Sequence, residues 1–131
     1  MATISKKRFI LVLGAAMAIM AAGAFAQSAA RPADKVLYDR GIENIERGNY
    51  AAARLSFNTL INTYATSEYQ AKAKLAIAVS WLRQGDAHAL AQAEAEYRDF
   101  ILFYPDMKEA AELQVGEPLR KIREQKATTP R

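Results

Sequence analysis

The stretch Ala53-Arg54-Leu55-Ser56-Phe57-Asn58-Thr59-Leu60-Ile61-Asn62-Thr63-Tyr64 is answered forty positions later by Ala93-Glu94-Ala95-Glu96-Tyr97-Arg98-Asp99-Phe100-Ile101-Leu102-Phe103-Tyr104. Five positions correspond in chemical kind: Ala53 with Ala93, Phe57 with Tyr97, Leu60 with Phe100, Ile61 with Ile101 and Tyr64 with Tyr104. Spacings of four, three, one and three set all five on one face of a 3.6-residue helix. Any amphipathic helix has such spacing. The shared order of small, aromatic, large apolar, Ile and Tyr marks an internal repeat.

The segments before these two also correspond, at an offset of thirty-seven: Gly41 with Ala78, Ile42 with Val79, Ile45 with Leu82 and Gly48 with Gly85. The difference of three places an insertion around 86–91, expected to lengthen the turn there. From Asp34 onward no stretch alternates with period two, so every segment reads as helix. Gly48-Asn49, Gly85-Asp86 and Pro105-Asp106 punctuate the chain and predict helices near 35–47, 50–64, 69–84 and 88–104, with shorter pieces beyond 106. A helix, a Gly turn and a second helix in about 34 residues is the tetratricopeptide plan. The expected fold is therefore all-α: two helix-turn-helix units plus a partial third. Gly41, Ala53, Ala78 and Ala93 fall where neighbouring helices approach most closely, Phe57 and Tyr97 fill the space between layers, and Pro105 ends the second unit. The helix near 69–84 is apolar nearly all round, as a helix between two neighbours must be. Its Trp81 is either a core residue between layers or an anchor for a partner. Gly116 is expected to stop the third unit, and Pro118 to open a short helix over 119–126 whose Leu119 and Ile122 cap the array. With so few units the isolated array is expected to be marginally stable or to associate with itself or a partner.

Upstream of the repeats, Lys6-Lys7-Arg8, an apolar run over 9–22 and Ala24-Phe25-Ala26 form the three parts of a secretory signal peptide. An uncleaved anchor helix is the alternative, at the lower edge of a membrane span. The domain reading is a signal peptide over 1–26, a flexible lead-in over 27–33, a repeat domain over 34–126 and a tail over 127–131. Lys6, Lys7 and Arg8 take three of the 18 basic residues, which leaves 15 basic against 14 acidic. So balanced a remainder carries no basic block for phosphates, and nucleic acid is not an expected partner. With no cysteine among the 131 residues, disulfides, thiolate metal sites, cysteine nucleophiles and lipidation at a cysteine are excluded from them.

The segment from Asp34 to Gln114 resembles the tetratricopeptide lipoprotein of the outer-membrane β-barrel assembly machinery, the BamD family. The resemblance rests on Ala33-Asp34-Lys35-Val36-Leu37-Tyr38, Tyr50-Ala51-Ala52-Ala53-Arg54, Leu60-Ile61-Asn62-Thr63-Tyr64 and Ser67-Glu68-Tyr69. It continues through Ala71-Lys72-Ala73-Lys74-Leu75-Ala76, Glu96-Tyr97-Arg98-Asp99-Phe100-Ile101, Tyr104-Pro105 and Glu109-Ala110-Ala111-Glu112. Family members end their signal with a lipidated cysteine and usually carry about five repeats; this chain has neither feature. The resemblance implies a protein-binding role in outer-membrane assembly, with the N-terminal repeats meeting incoming substrate.

No catalytic constellation is expected. His88, the single histidine, is read in the turn with no second ligand at helical spacing. Glu94 and Glu96 are two apart and point in different directions, while Glu109 and Glu112 share a face that reads as solvated beside Lys108. No phosphate loop or nucleophile elbow appears, and neither a cofactor nor a metal is expected. Binding is the positive reading. First helices of stacked pairs line the concave face, which by repeat register comprises Lys35, Tyr38, Ile42 and Glu46, then Lys72, Leu75, Val79 and Arg83. Lys35 and Lys72 are equivalent: two solvated lysines, or a clamp for a C-terminal carboxylate. The expected function is a non-catalytic periplasmic adaptor in outer-membrane protein assembly, peripheral at that membrane through partners and without a direct lipid anchor. The alternative is a repeat adaptor for cell-wall or division proteins.

The exported protein is expected to begin at Gln27 and to carry no acyl group; its intact mass checks both, and retention of Met1 or an added acyl mass would show the leader misread.

Overall fold

Two left-handed glycines, Gly48 at φ 77° and Gly85 at φ 78°, make the turn within each helix pair. A side chain is strained in that conformation, so glycine is the residue that can close a helix there. The structure, a computed structural model, describes residues 31–129. The signal peptide and most of the lead-in lie outside the described residues. The helices all belong to one compact unit, Ala33–Arg131.

Helix α1 (Ala33–Glu46) has Asp34 in its first turn, where a carboxylate complements the helix dipole. It ends in a Schellman motif: the Gly48 N–H donates to the Ile45 carbonyl at 3.0 Å and the Asn49 N–H to the Asn44 carbonyl at 2.8 Å. Helix α2 (Tyr50–Thr63) runs back along α1. The carbonyls of Ile61 and of the C-cap residue Tyr64 accept from the Gln70 side-chain amide at 2.9 and 2.8 Å, which joins the first unit to α3 (Gln70–Gln84). Asp86 caps α4 (Ala87–Phe103), its carboxylate accepting from the Ala89 N–H at 2.9 Å. A 3₁₀ turn (Pro105–Met107), α5 (Lys108–Ala111), a π-helical turn (Glu112–Gly116) and α6 (Glu117–Thr128) complete the chain order. Among the described residues there is no strand, and the fold is the expected helical repeat.

Both repeat offsets reappear in the packing. Ala53 and Ala93 are fully buried, as are Phe57 and Ala78, and Ile45 and Leu82 occupy matching buried places. A first cluster joins Ile45, Ala53, Phe57 and Leu60 to Ala73, Ala76 and Ile77 of α3. A second joins Leu75, Ala78 and Phe100 to Ala111 and Val115. A third closes the array, with Leu119 of α6 on Leu82, Leu90 and Ala93 and Ile122 packed beside it. The expected cap over 119–126 is thus made by the two apolar residues named for it. Trp81 is half-buried between units: the Arg54 guanidinium lies 3.4 Å above its ring and also donates to Ser80 Oγ and Gln84 Oε1.

Three expectations need correction. The inserted residues do not lengthen the second turn; they lengthen the helix after it, since α4 has 17 residues where α2 has 14. Asp86 caps immediately after Gly85, and the alanines beyond it favour helix over loop. His88 accordingly sits exposed in the first turn of α4, edge-on to Trp81. Gly116 is not a stop, because its φ of −60° and ψ of −55° are helical. Pro118 has no N–H and its ring excludes the carbonyl four residues back, and the chain accommodates this by widening to a π turn, in which the Glu117 N–H reaches the Glu112 carbonyl. A Cβ at Gly116 would meet the Glu112 carboxylate, so a larger residue there would displace that side chain from its present position. Finally, Glu112 is not a solvated surface residue; it accepts from Tyr97 and Arg120.

A Cβ at Gly41 would overlap the buried Phe57 ring. Ala53→Leu, Ala93→Leu and Gly41→Ala are each expected to lose about 1–3 kcal/mol, while the two Ala→Ser variants lose less. Thermal melts check this, at about 4–8 °C per kcal/mol for a domain of this size. Unchanged melting of the Leu variants would mean that the repeat register is wrong.

Candidate functional site

Packing α1 and α3 side by side, both on α2, leaves a concavity between them. Seven of the eight residues placed by repeat register line one groove of about 430 Å³: Tyr38, Ile42, Glu46, Lys72, Leu75, Val79 and Arg83. Lys35 does not line it. Its ammonium is 2.6 Å from Asp39, one turn along α1, so the equivalence of Lys35 and Lys72 produces no paired clamp at the groove. Lys72 is instead poised over the Tyr69 ring at 5.6 Å, and that ring stacks on Tyr38 at 5.1 Å. Burial, then the charge of Asp39, raises the Tyr38 phenol above its ordinary value.

The groove has an apolar floor and a charged rim. Ile45, Leu75 and Ala76 are buried beneath it, Ile42 and Val79 are half-buried along it, and Glu46, Lys72 and Arg83 stand around its edge. None of these three charges belongs to an ion pair among the described residues. Lys72, Leu75, Val79 and Arg83 follow one stripe of α3. Eleven residues at 1.5 Å each separate its two cations by about 16 Å, the reach of about five extended residues. An apolar trough of that length, with unpaired charges at its edge, is suited to holding a segment of polypeptide. It brings no nucleophile and base together, and no group of three or more His, Asp or Glu capable of holding a metal occurs among the described residues.

Met107 and Gln114 also line the groove, from the start of the third unit. Sequence reasoning omitted them; their separation of seven residues, two helical turns, was the available signal. Their segment is fastened by side chains far apart in the chain. Glu112 accepts from the Tyr97 hydroxyl and from Arg120, and Arg123 pairs with Glu94, which also holds Arg98 at 2.5 Å. The hydrogen bond from Tyr97, followed by that from Arg120, holds the Glu112 carboxyl below its ordinary value.

A helix-turn-helix array with a concave face of this kind defines a tetratricopeptide-like binding protein. The chain belongs to the YfiO outer membrane lipoprotein family, whose model matches residues 31–114, and this is the BamD-like family that the sequence resembles. No curated protein and no solved structure matches it. No helix among the described residues is long and apolar enough to cross a membrane.

Because the Glu112 carboxyl is depressed on folding, its contribution is present above the ordinary value of 4.5 and is lost as pH falls through the lower folded value. Asp34, Asp86 and Glu117 act in the same sense, whereas Glu96, raised chiefly by burial, acts against it. The melting temperature is expected to fall on acidification below 4.5, and to fall less steeply in Glu112→Gln. Parallel pH profiles of the two proteins would show that this carboxylate does not fasten the third unit.

Proposed function

We propose that the protein is a non-catalytic periplasmic adaptor of outer-membrane protein assembly that holds extended segments of partner proteins in the groove between α1 and α3. The observation that carries this reading is the convergence of three register-equivalent pairs, Tyr38 with Leu75, Ile42 with Val79 and Glu46 with Arg83, together with Lys72, on one trough with an apolar floor and unpaired rim charges. Membership of an outer membrane lipoprotein family supports the setting. The partners proposed are assembly components and barrel proteins in transit. Unfolded barrel strands alternate apolar and polar residues, so every second side chain can meet the floor while the others face the rim. No cofactor enters the proposal.

A photo-crosslinking residue at position 79, on the groove, is expected to capture outer-membrane assembly components or barrel proteins in cells, identified by mass spectrometry. The same residue at exposed position 55 should capture far less. Equal capture at both positions would remove the groove from the account, and capture at 79 of cell-wall or division proteins alone would replace the pathway.

A further inference from the structure

The two most exposed large apolar side chains among the described residues are adjacent at the end of α4: Leu102 at 76% and Phe103 at 73%. At the forty-residue offset their counterparts in the first unit are Asn62 and Thr63. Those two are also exposed, although the second unit is already stacked on the first. Stacking a further unit therefore does not cover this position, and the apolar pair is not simply the open end of the array. The first unit has polar residues where a side chain stays in water; the second has a Leu and a Phe. Burying such a pair favours association, and its exposure outside the array points to a partner outside it.

The surroundings of the pair are acidic. Asp99 lies one turn before Phe103 and Asp106 three residues after it, both exposed and in no ion pair among the described residues. Arg98 is engaged with Glu94, and exposed Lys108 and Glu109 offset each other. An acidic tip is repelled by an anionic lipid surface. It is complementary to an apolar trough with Lys72 and Arg83 on its rim, where Glu46 is the opposing charge. We propose that the Leu102–Phe103 tip of one copy seats in the α1–α3 groove of a second copy, so that self-association competes with partner segments for the same site. The proposal rests on the groove being a polypeptide-binding surface. Tip and groove are different patches, so the contact is head-to-tail, and the growing chain always presents one free tip at one end and one free groove at the other.

Sedimentation velocity of the purified protein over a wide concentration range is the test. The wild type is expected to grow beyond the dimer as concentration rises. Leu102→Asn with Phe103→Thr, the residues the first unit carries at these places, should keep the helical spectrum and melting point but stay monomeric. Lys72→Glu with Arg83→Glu should weaken association by about tenfold or more. An equimolar mixture of the two variants should form a 1:1 heterodimer and nothing larger, because the intact tip of the rim variant seats in the intact groove of the tip variant. The tip variant mixed with wild type should cap growing chains and lower their mass. A wild type that is monomeric throughout, or association that persists in the tip variant, overturns the proposal. So does flotation of a monomeric wild type with phosphatidylethanolamine–phosphatidylglycerol vesicles that the tip variant loses, which would assign the tip to lipid. Fluorescence anisotropy of a labelled, unfolded outer-membrane barrel polypeptide separates the two readings. Binding to the tip variant with no self-association of wild type removes only this proposal, whereas no binding to either protein removes the groove reading as well.

Discussion

Everything in this molecule depends on how closely its helices can approach. Gly41 faces the ring of Phe57 with no room for a methyl group, and Ala53, Ala73, Ala78, Ala93 and Ala111 have no exposed surface. Small residues at these crossings let large ones interlock between them, with Phe57 and Phe100 filling the layers. The close approach also places α1 and α3 side by side on α2, and that geometry creates the trough between their outer faces. A larger side chain at one crossing would separate the helices and alter the trough together with the core.

Each first helix is used on two sides. In α3, Ala73, Ala76, Ile77 and Ser80 face the first unit, Leu75 and Ala78 face the third, and the Lys72–Arg83 stripe borders the groove. This explains why α3 is apolar nearly all round while the groove rim carries charge. The array is then closed at its far side by α6, with Leu119 in the core and Glu112 and Glu94 holding Arg120 and Arg123. Exposed ion pairs add little each. Their value here is positional, since they hold the segment that contributes Met107 and Gln114 to the groove.

Much of this was legible in the sequence because a repeat compares the chain with itself. The offsets of forty and thirty-seven identified equivalent faces, and equivalent faces gave seven of the groove residues. The difference between the offsets placed an insertion around 86–91 but did not show whether it lengthens turn or helix, because the two differ there only through the Asp86 cap. Gly116 beside Pro118 reads as a stop from local propensity, and only the packing of Tyr97 and Glu112 around it shows a widened helix. Arg54 over Trp81, and Tyr97 with Glu112 and Arg120, join residues whose separation in the chain leaves no periodic trace. Lys35 failed as a groove residue for a local reason: Asp39, one turn away, takes its ammonium.

The central claim is that the concave face formed by α1, α3 and the start of the third unit receives polypeptide. Amide chemical shifts of the isotope-labelled protein, monitored during titration with an unfolded outer-membrane barrel polypeptide, report that face residue by residue. The account predicts saturable shifts at Ile42, Leu75, Val79, Met107 and Gln114, with α2 and the outer face of α4 unmoved. Shifts confined to those outer faces, or no shifts at saturating polypeptide, would contradict it.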